Sequence, residues 1–335
     1  MVGQVRISLL LIAWLPLAAS SPHGSAARLQ APPPEPPPYD ASAINSPDQP
    51  DIGLGAKGSG VLRAQILLDR AHFSCGQIDG EYGTNLEKTV AAFQRERNLP
   101  VTEVVNADTW AALNQDKAPV LASYAIDQED VAGPFVKVPA SMMAQAKLDY
   151  LGYSSPLEEL GEKFHVKPEL LAALNPGKDF TRVGDPITVP NANTLPPGQA
   201  AQVVVSKSDS SVTAFDAQGK LLAYYVATIG SEHDPLPIGD WKIDAILRNP
   251  VFHYNPDLFW DAKPGDQKAE IKAGPRNPVG LVWMNLSKEH YGIHGTPNPG
   301  KIGHTESHGC IRLTNWDAWQ LADMIQPGTP AILKE

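Results

Sequence analysis

From residue 201 to the end of the chain, short β-branched and aromatic runs recur between Gly, Pro, Asp and Ser breaks. They read A-Q-V-V-V-S, S-V-T-A-F, L-L-A-Y-Y-V-A-T-I, W-K-I-D-A-I, L-V-W-M-N-L and P-A-I-L-K. Branched and aromatic side chains suit a pleated, half-buried surface, and breaks this frequent leave room for strands rather than long helices. The pattern predicts a mainly-β sandwich or barrel-like domain over residues 201–334. One late segment, N-W-D-A-W-Q-L-A-D-M-I, is helical in spacing and is closed by Q-P-G, so a single helix is expected to pack on that domain.

Upstream, residues 60–116 switch to helical spacing. Val61, Ile66, Leu67 and Leu68 form one apolar stripe, and Leu86, Val90, Phe93 and Leu99 a second. Asn106 and Asp108 sit where a third helix, T-W-A-A-L, would be capped. The turn Asp79-Gly80-Glu81-Tyr82-Gly83 and the stretch Ala91-Ala92-Phe93-Gln94 resemble the D-G-x-[YF]-G and A-x-x-x-F-Q signatures of the three-helix peptidoglycan-binding domain. Residues 136–191 read as two short amphipathic helices followed by V-G-D-P-I-T-V-P, a turn and a strand. This resembles the βααβ LysM module, with its first strand unclear. The whole chain is therefore expected to be multidomain α+β.

The first 20 residues have a different character. Arg6 precedes an apolar run from Ile7 to Ala19, and Ala18 and Ser20 are spaced like an export cleavage site. About 13 helical residues rise only ~20 Å, short of a ~30 Å hydrocarbon core. The segment reads as a secretory signal peptide, which places the working protein outside the cytoplasm, in the periplasm or cell envelope. Residues 21–59, rich in Pro and Ser, read as a disordered spacer. A net charge of −10 argues against non-specific nucleic-acid binding, which needs a basic face. Oligomeric state is not legible.

One loop concentrates chemistry. Within I-H-G-T-P-N-P-G-K-I-G-H-T-E-S-H-G-C-I-R-L stand His294, His304, His308 and Cys310, one of only two cysteines. A thiol becomes a nucleophile when an imidazole takes its proton, and Gly309 would let backbone N–H groups approach a developing oxyanion. A zinc set from His294, His304, His308 and Cys310 is the competing reading, but Pro297, Pro299 and the glycines make this a loop, and no second cysteine or acidic cluster completes a usual site. Cys75 has no assigned role, and a Cys75–Cys310 disulfide is the bland alternative for an exported pair.

I-H-G-T followed by S-H-G-C-I-R-L resembles the signature of the YkuD family, the L,D-transpeptidase catalytic domain. A-G-P-R-N-P-V-G-L and D-P-L-P-I-G-D-W-K-I upstream resemble two further stretches of that family. The resemblance covers residues 201–334. It implies Cys310 as nucleophile and His294 as proton acceptor and donor, its ring oriented by the Gly295 carbonyl. His308 would support substrate or oxyanion, and Gly309 and Cys310 would give backbone donors. Arg312, Tyr291 and Ser307 would contact substrate, Arg312 either by holding a carboxylate or by bracing the loop. No metal or other cofactor is implied. The implied partners are peptidoglycan tetrapeptide stems as donor and acceptor, with glycan held through the N-terminal modules. The implied product is a 3→3 cross-link made through a thioester. The same motifs would serve a lipoprotein-to-wall ligase or a stem hydrolase, and a non-catalytic wall-binding protein is the alternative from another class.

Overall fold

Helix α1 (Ala41–Asn45) opens the part of the chain that the computed structural model describes, residues 39–335. The expected signal peptide and the spacer up to residue 38 lie outside the described residues. The rest of the expected spacer is not disordered: Ile44 of α1 is fully buried and Ile52 bridges to Val105. Two apolar side chains among the prolines and polar residues are enough to anchor this stretch in the neighbouring core.

The helices α2 (Ser59–Arg70), α3 (Thr84–Glu96) and α4 (Ala107–Leu113) follow, with a two-residue strand β1 (Phe73–Ser74) between the first two. Glutamine side chains hold their turns. Gln65 donates to Asp79 Oδ1 at 2.8 Å and accepts from Gly80 N at 2.8 Å, fixing a turn in which Gly80 has φ +75°. Fully buried Gln94 accepts from Thr102 N and donates to Val104 O, both at 2.9 Å. Asn106 caps α4 by accepting from Thr109 N. The Asp-Gly and Phe-Gln signatures are thus folding devices, satisfying turn backbone that would otherwise be buried unpaired.

The second segment pairs β2 (Leu121–Ala125) antiparallel with β3 (Pro186–Pro190), and between them lie α5 (Met142–Gln145), α6 (Pro156–Lys163) and α7 (Pro168–Leu174). The partner of β3 is Leu121–Ala125, which lies upstream of the expected boundary at 136. Residues 126–155 intervene, and Val138, Met142 and Leu151 pack with Tyr254 and Ile271 far along the chain.

The C-terminal region supplies β4 (Gln202–Ser206), β5 (Ser211–Phe215), β6 (Leu221–Val226), β7 (Thr228–Ile229), β8 (Gly239–Arg248), β9 (Phe252–Tyr254), β10 (Ala269–Ile271), β11 (Val282–Leu286), β12 (Gly292–His294), β13 (Ile311–Arg312), α8 (Asn315–Met324) and β14 (Pro330–Lys334). Apart from the β9–β10 hairpin these strands form one continuous sheet in the order β1-β6-β5-β4-β14-β8-β11-β12-β13-β7. Val203 and Val212 from one end share a core with Ile293 and Ile311 from the other and with Leu321 of α8, so the sheet curls around a common interior. The mainly-β expectation with one packed helix holds, built from one curled sheet rather than two stacked ones.

The N-terminal helices are fused to this sheet rather than strung on a linker. Strand β1 pairs parallel with β6, Phe73 stacks on Tyr224 at 6.2 Å, and Tyr224, Val226 and Ile302 belong to the helical core. The added strand covers a sheet edge that would otherwise expose unpaired backbone.

Candidate active site

Three neighbouring strands of the curled sheet carry the loop that the sequence singled out. Strand β12 lies between β11, with Trp283 opposite His294, and β13, with His294 opposite Arg312. In a parallel pair, side chains at matched positions point to the same face, and so do residues two apart on one strand. His294, Arg312 and Cys310 therefore share a face. Gly292, the neighbour of Cys310 across the ladder, puts no side chain between thiol and imidazole.

His294 is almost completely buried, and Trp283 stacks on it at 5.1 Å. Its Nδ1 lies 2.6 Å from Gly295 O. A carbonyl can only accept, so Nδ1 carries the hydrogen and Nε2 presents its lone pair. Burial pushes the imidazole down to about 3, with the Arg312 guanidinium adding to the shift and the Gly295 carbonyl opposing it. Burial raises the Cys310 thiol above its ordinary value, while the Gly292 N–H and Arg312 pull it back. Both shifts favour the neutral thiol and the neutral imidazole over an ion pair. Alkylation of Cys310 by iodoacetamide should therefore climb with pH beyond 9, with no plateau at neutrality. Acylation by a substrate, which needs only the neutral base, should stay level between about pH 5 and 8. An alkylation plateau near pH 6, read by intact mass, would instead reveal a thiolate–imidazolium pair.

Cys310 is half-buried and Cys75 is buried, both as free thiols, so the disulfide alternative is overturned. The Cys310 thiol donates to His290 O at 3.8 Å. Gly309 has φ +87°, and a Cβ there would strike the ring of Tyr291. Tyr291 is the floor against which the Gly309 turn is pressed. Ser307, expected to contact substrate, is buried, with its hydroxyl donating to Cys310 O at 2.6 Å and its N–H to Gly230 O at 3.1 Å. It closes the turn instead, because a buried hydroxyl satisfies the nearest free carbonyl.

His308 turns outward from the nucleophile. Its Nε2 meets Asp261 Oδ1 at 2.9 Å, and its ring lies 5.0 Å from Phe259 and 5.5 Å from Trp260. All three partners sit on the β9–β10 connection, which reaches over the loop. Nδ1 of His308 is buried without a partner. Asp261 was not legible as a site residue, since F-W-D at 259–261 carries no spacing that ties it to position 308.

Asn315 is a second residue the sequence did not mark. It accepts from Leu281 N at 3.0 Å and donates to Pro275 O at 3.2 Å, and a Cβ on Gly280 or Gly295 would collide with its Oδ1. The side chain therefore fixes the backbone whose carbonyl orients His294. Arg312 donates to Glu306 O at 3.4 Å, and among the described residues it has no carboxylate partner. Nor do His294, His304, His308 and Cys310 converge: among the described residues no group of three His, Cys, Asp or Glu side chains could hold a metal ion.

The L,D-transpeptidase catalytic domain of the YkuD family matches residues 200–333, and a family described as "Putative peptidoglycan binding domain" matches residues 57–113. A Bacillus licheniformis protein named "Putative L,D-transpeptidase YkuD" is 30% identical over 178 residues, which is 52% of this chain and 90% of that protein. This chain belongs to the YkuD family of L,D-transpeptidases. A Bacillus subtilis protein of the same name is 30% identical over 166 residues, 49% of this chain and 79% of the relative. An Escherichia coli protein named "Probable L,D-transpeptidase ErfK/SrfK" is 28% identical over 52% of this chain and 58% of its own length. Among solved structures, an L,D-transpeptidase from Mycobacterium smegmatis overlaps 46% of this chain and 65% of that chain at 20% identity, with a TM-score of 0.33. The enzyme is thus a transferase with a peptidoglycan-binding module ahead of its catalytic domain. No helix among the described residues is long and apolar enough to cross a membrane.

Proposed function

We propose that this transpeptidase is exported and joins peptidoglycan stem peptides through a thioester on Cys310. The observation that carries the reading is the His294 tautomer. With Nδ1–H committed to Gly295 O, only Nε2 is left to take a proton, on the face where Cys310 stands. The Cys310 thiol hydrogen passes to His294 Nε2 as sulfur attacks the carbonyl of the third stem residue. The backbone N–H groups of Gly309 and Cys310 receive the oxyanion. The imidazolium returns the proton to the departing D-Ala nitrogen. An amine of a second stem then attacks the thioester, losing its proton through His294, and Cys310 leaves as the thiol. One amide is broken and one made, so no nucleotide is consumed. Splitting the transfer in two lowers each barrier.

His308, steadied by Asp261, supports substrate at the loop rather than acting as base, because its Nε2 is already engaged. Residues 60–116 act as the wall-binding module, residues 201–334 as the catalytic domain, and residues 136–191 as a LysM-like glycan contact, a reading supported by the succession of α6, α7 and β3, with β3 paired to β2. Fusion of these parts holds the acyl-transfer site at a fixed offset from bound wall, which raises local substrate concentration.

Incubating the protein with a carbapenem should add one drug mass per chain, and Cys310→Ala should abolish the adduct. An accessible thiol that forms no adduct would favour the non-catalytic binding reading. Digestion of tetrapeptide-rich wall after treatment should show 3→3 dimers. Tripeptides alone would mean water is the acceptor, and protein-linked stems would mean a lysine is.

A further inference from the structure

The segment ahead of the catalytic sheet grips it from outside, and the grip ends on the side chain that sets the His294 backbone. Helix α6 packs against α8, and α8 against β11 and β12. Glu158 and Glu162 lie four residues apart on α6 and so share one face of it. Glu158 is fixed at the helix start, where Oε2 accepts from Ser154 N at 2.7 Å and Oε1 pairs with Arg276. Backbone bonds extend the contact, with Leu151 N donating to Ala273 O at 3.0 Å and Arg276 N to Leu151 O at 2.9 Å. At Gly274 the two stretches run so close that a Cβ would strike the Leu151 backbone. Residues 151–158 therefore clamp residues 273–276, and Pro275 O in that stretch holds Asn315.

Glu162 carries the grip one step further. Its Oε1 is buried without a hydrogen-bond partner, and the Asn315 amide is the donor that acts on its carboxyl against the effect of burial. Asn315 is itself almost completely buried and commits one Nδ2 hydrogen to Pro275 O, which leaves the second for another acceptor. A buried acceptor short of a donor and a buried donor short of an acceptor thus face each other where α6 meets α8. Leu281 N–H can only donate and needs Asn315 Oδ1, whereas Pro275 O and a carboxyl oxygen accept and need Nδ2. All three neighbours select the same orientation of the amide, the one that sets Oδ1 against Gly280 and Gly295. Turned over, the amide would oppose N–H to N–H at Leu281 and press its NH2 group on Gly295, whose carbonyl holds the His294 ring. Either protonation state of Glu162 leaves an oxygen able to accept.

We propose that Glu162 is a positioning residue for acyl transfer: from outside the catalytic domain it locks the Asn315 amide, and through it the Gly295 carbonyl that keeps hydrogen on His294 Nδ1. The inference rests on the acyl-transfer reading above. It makes the segment around α6 a part of the active site as well as a contact with wall.

The test compares the full chain with Glu162→Leu and Glu162→Gln. Acylation of Cys310 by a carbapenem is followed by intact mass over a range of drug concentrations. Glu162→Leu should lower the saturating acylation rate about tenfold and leave the half-saturating concentration within about twofold, the scale of a displaced catalytic group rather than of lost binding. Glu162→Gln, which keeps an acceptor oxygen, should restore most of the rate. The melting temperature of Glu162→Leu should equal or exceed that of the parent, because a buried carboxyl is removed. Two-bond ¹⁵N–¹H spectra of histidine-labelled protein, with His294→Gln for assignment, should show Nδ1–H on His294 in the parent and mixed tautomers in Glu162→Leu. A loss under about twofold in Glu162→Leu overturns the proposal, as does an equal loss in both variants. A slower Glu162→Leu with a lowered melting temperature and unchanged His294 signals assigns Glu162 to folding and overturns it too. Failure of the parent to acylate while iodoacetamide still alkylates Cys310 overturns the acyl-transfer reading, and the His294 spectra then decide separately whether Glu162 sets the tautomer.

Discussion

His294→Gln should lower the rate of Cys310 acylation by about 10³-fold, within the range that a positioned acid–base group supplies. Glutamine keeps an N–H that can reach Gly295 O and nearly fills the imidazole volume under Trp283, so the sheet should fold as before. What it lacks is a basic nitrogen toward Cys310. The loss should appear in kcat, with a smaller change in KM, because the missing interaction forms in the transition state. Alkylation of the free thiol at pH 10 should be unchanged, since hydroxide then does the deprotonation and the only question is whether the sulfur is accessible. A loss smaller than tenfold would show that another base takes the thiol proton. His294→Ala is the poorer probe, because an empty site under an indole also removes packing.

That His294 could be named from sequence while Asp261 and Asn315 could not has a physical origin. His294 and Cys310 announce themselves by residue type, since few structural reasons place a free thiol and several imidazoles in one glycine-rich loop. Their pairing on β12 and β13 follows from two short runs joined by a loop. Asp261 and Asn315 are ordinary polar residues whose meaning depends on which distant segment the fold brings near. Asp261 reaches His308 only because the β9–β10 connection folds back over the loop, and Asn315 reaches Gly295 only because α8 packs beneath β12. Ser307 misled for the converse reason, its motif position suggesting substrate while its burial turned it to Cys310 O. At the level of fold, alternation and turn residues located β4, β5, β6, β8, β11 and β14. Strand β1 was hidden because two residues make no period, and β2 because L-A-S-Y-A is partly small and polar and lies far from its partner. The expected spacer ran too long because composition averages over Ile44 and Ile52, the two side chains that decide whether that stretch is anchored.

Asp317→Asn should raise the melting temperature by about 3–6 °C at pH 8 and by less than half as much at pH 5. Asp317 lies where the three segments meet. It accepts from Ser74 Oγ at 2.9 Å, and nearby His165 has Nδ1 3.2 Å from Asp69 Oδ1 and its ring stacked on Trp316 at 4.9 Å. Burial, then the charge of Asp69, raises the Asp317 carboxyl to about 7. Burial likewise raises Glu162, on the same side of the junction, to about 7. For His165, burial alone would favour the neutral ring, but Asp69 beside it raises its value overall. A carboxyl whose folded value exceeds its unfolded one holds more protons when folded, so its contribution to stability falls as pH rises between the two, here from about 4 to about 7, and levels off above. At pH 5, about one unit above the unfolded value, Asp317 folds as the neutral acid at well under half the cost it meets at pH 8. At pH 8 it must either hold a proton or carry an uncompensated charge, a cost of order 2–3 kcal/mol that the neutral amide avoids. The change in melting temperature per kcal/mol is a few degrees for a chain of this size. Absolute melting temperatures are a poor readout, because burial depresses His294 and His72 and makes each of them destabilising as pH falls below about 6.5. The difference between Asp317→Asn and the parent at each pH cancels those terms. An equal shift at both pH values, or a loss at pH 8, would mean that Asp317 is held ionised in the fold and that its bond to Ser74, rather than its burial, governs the junction.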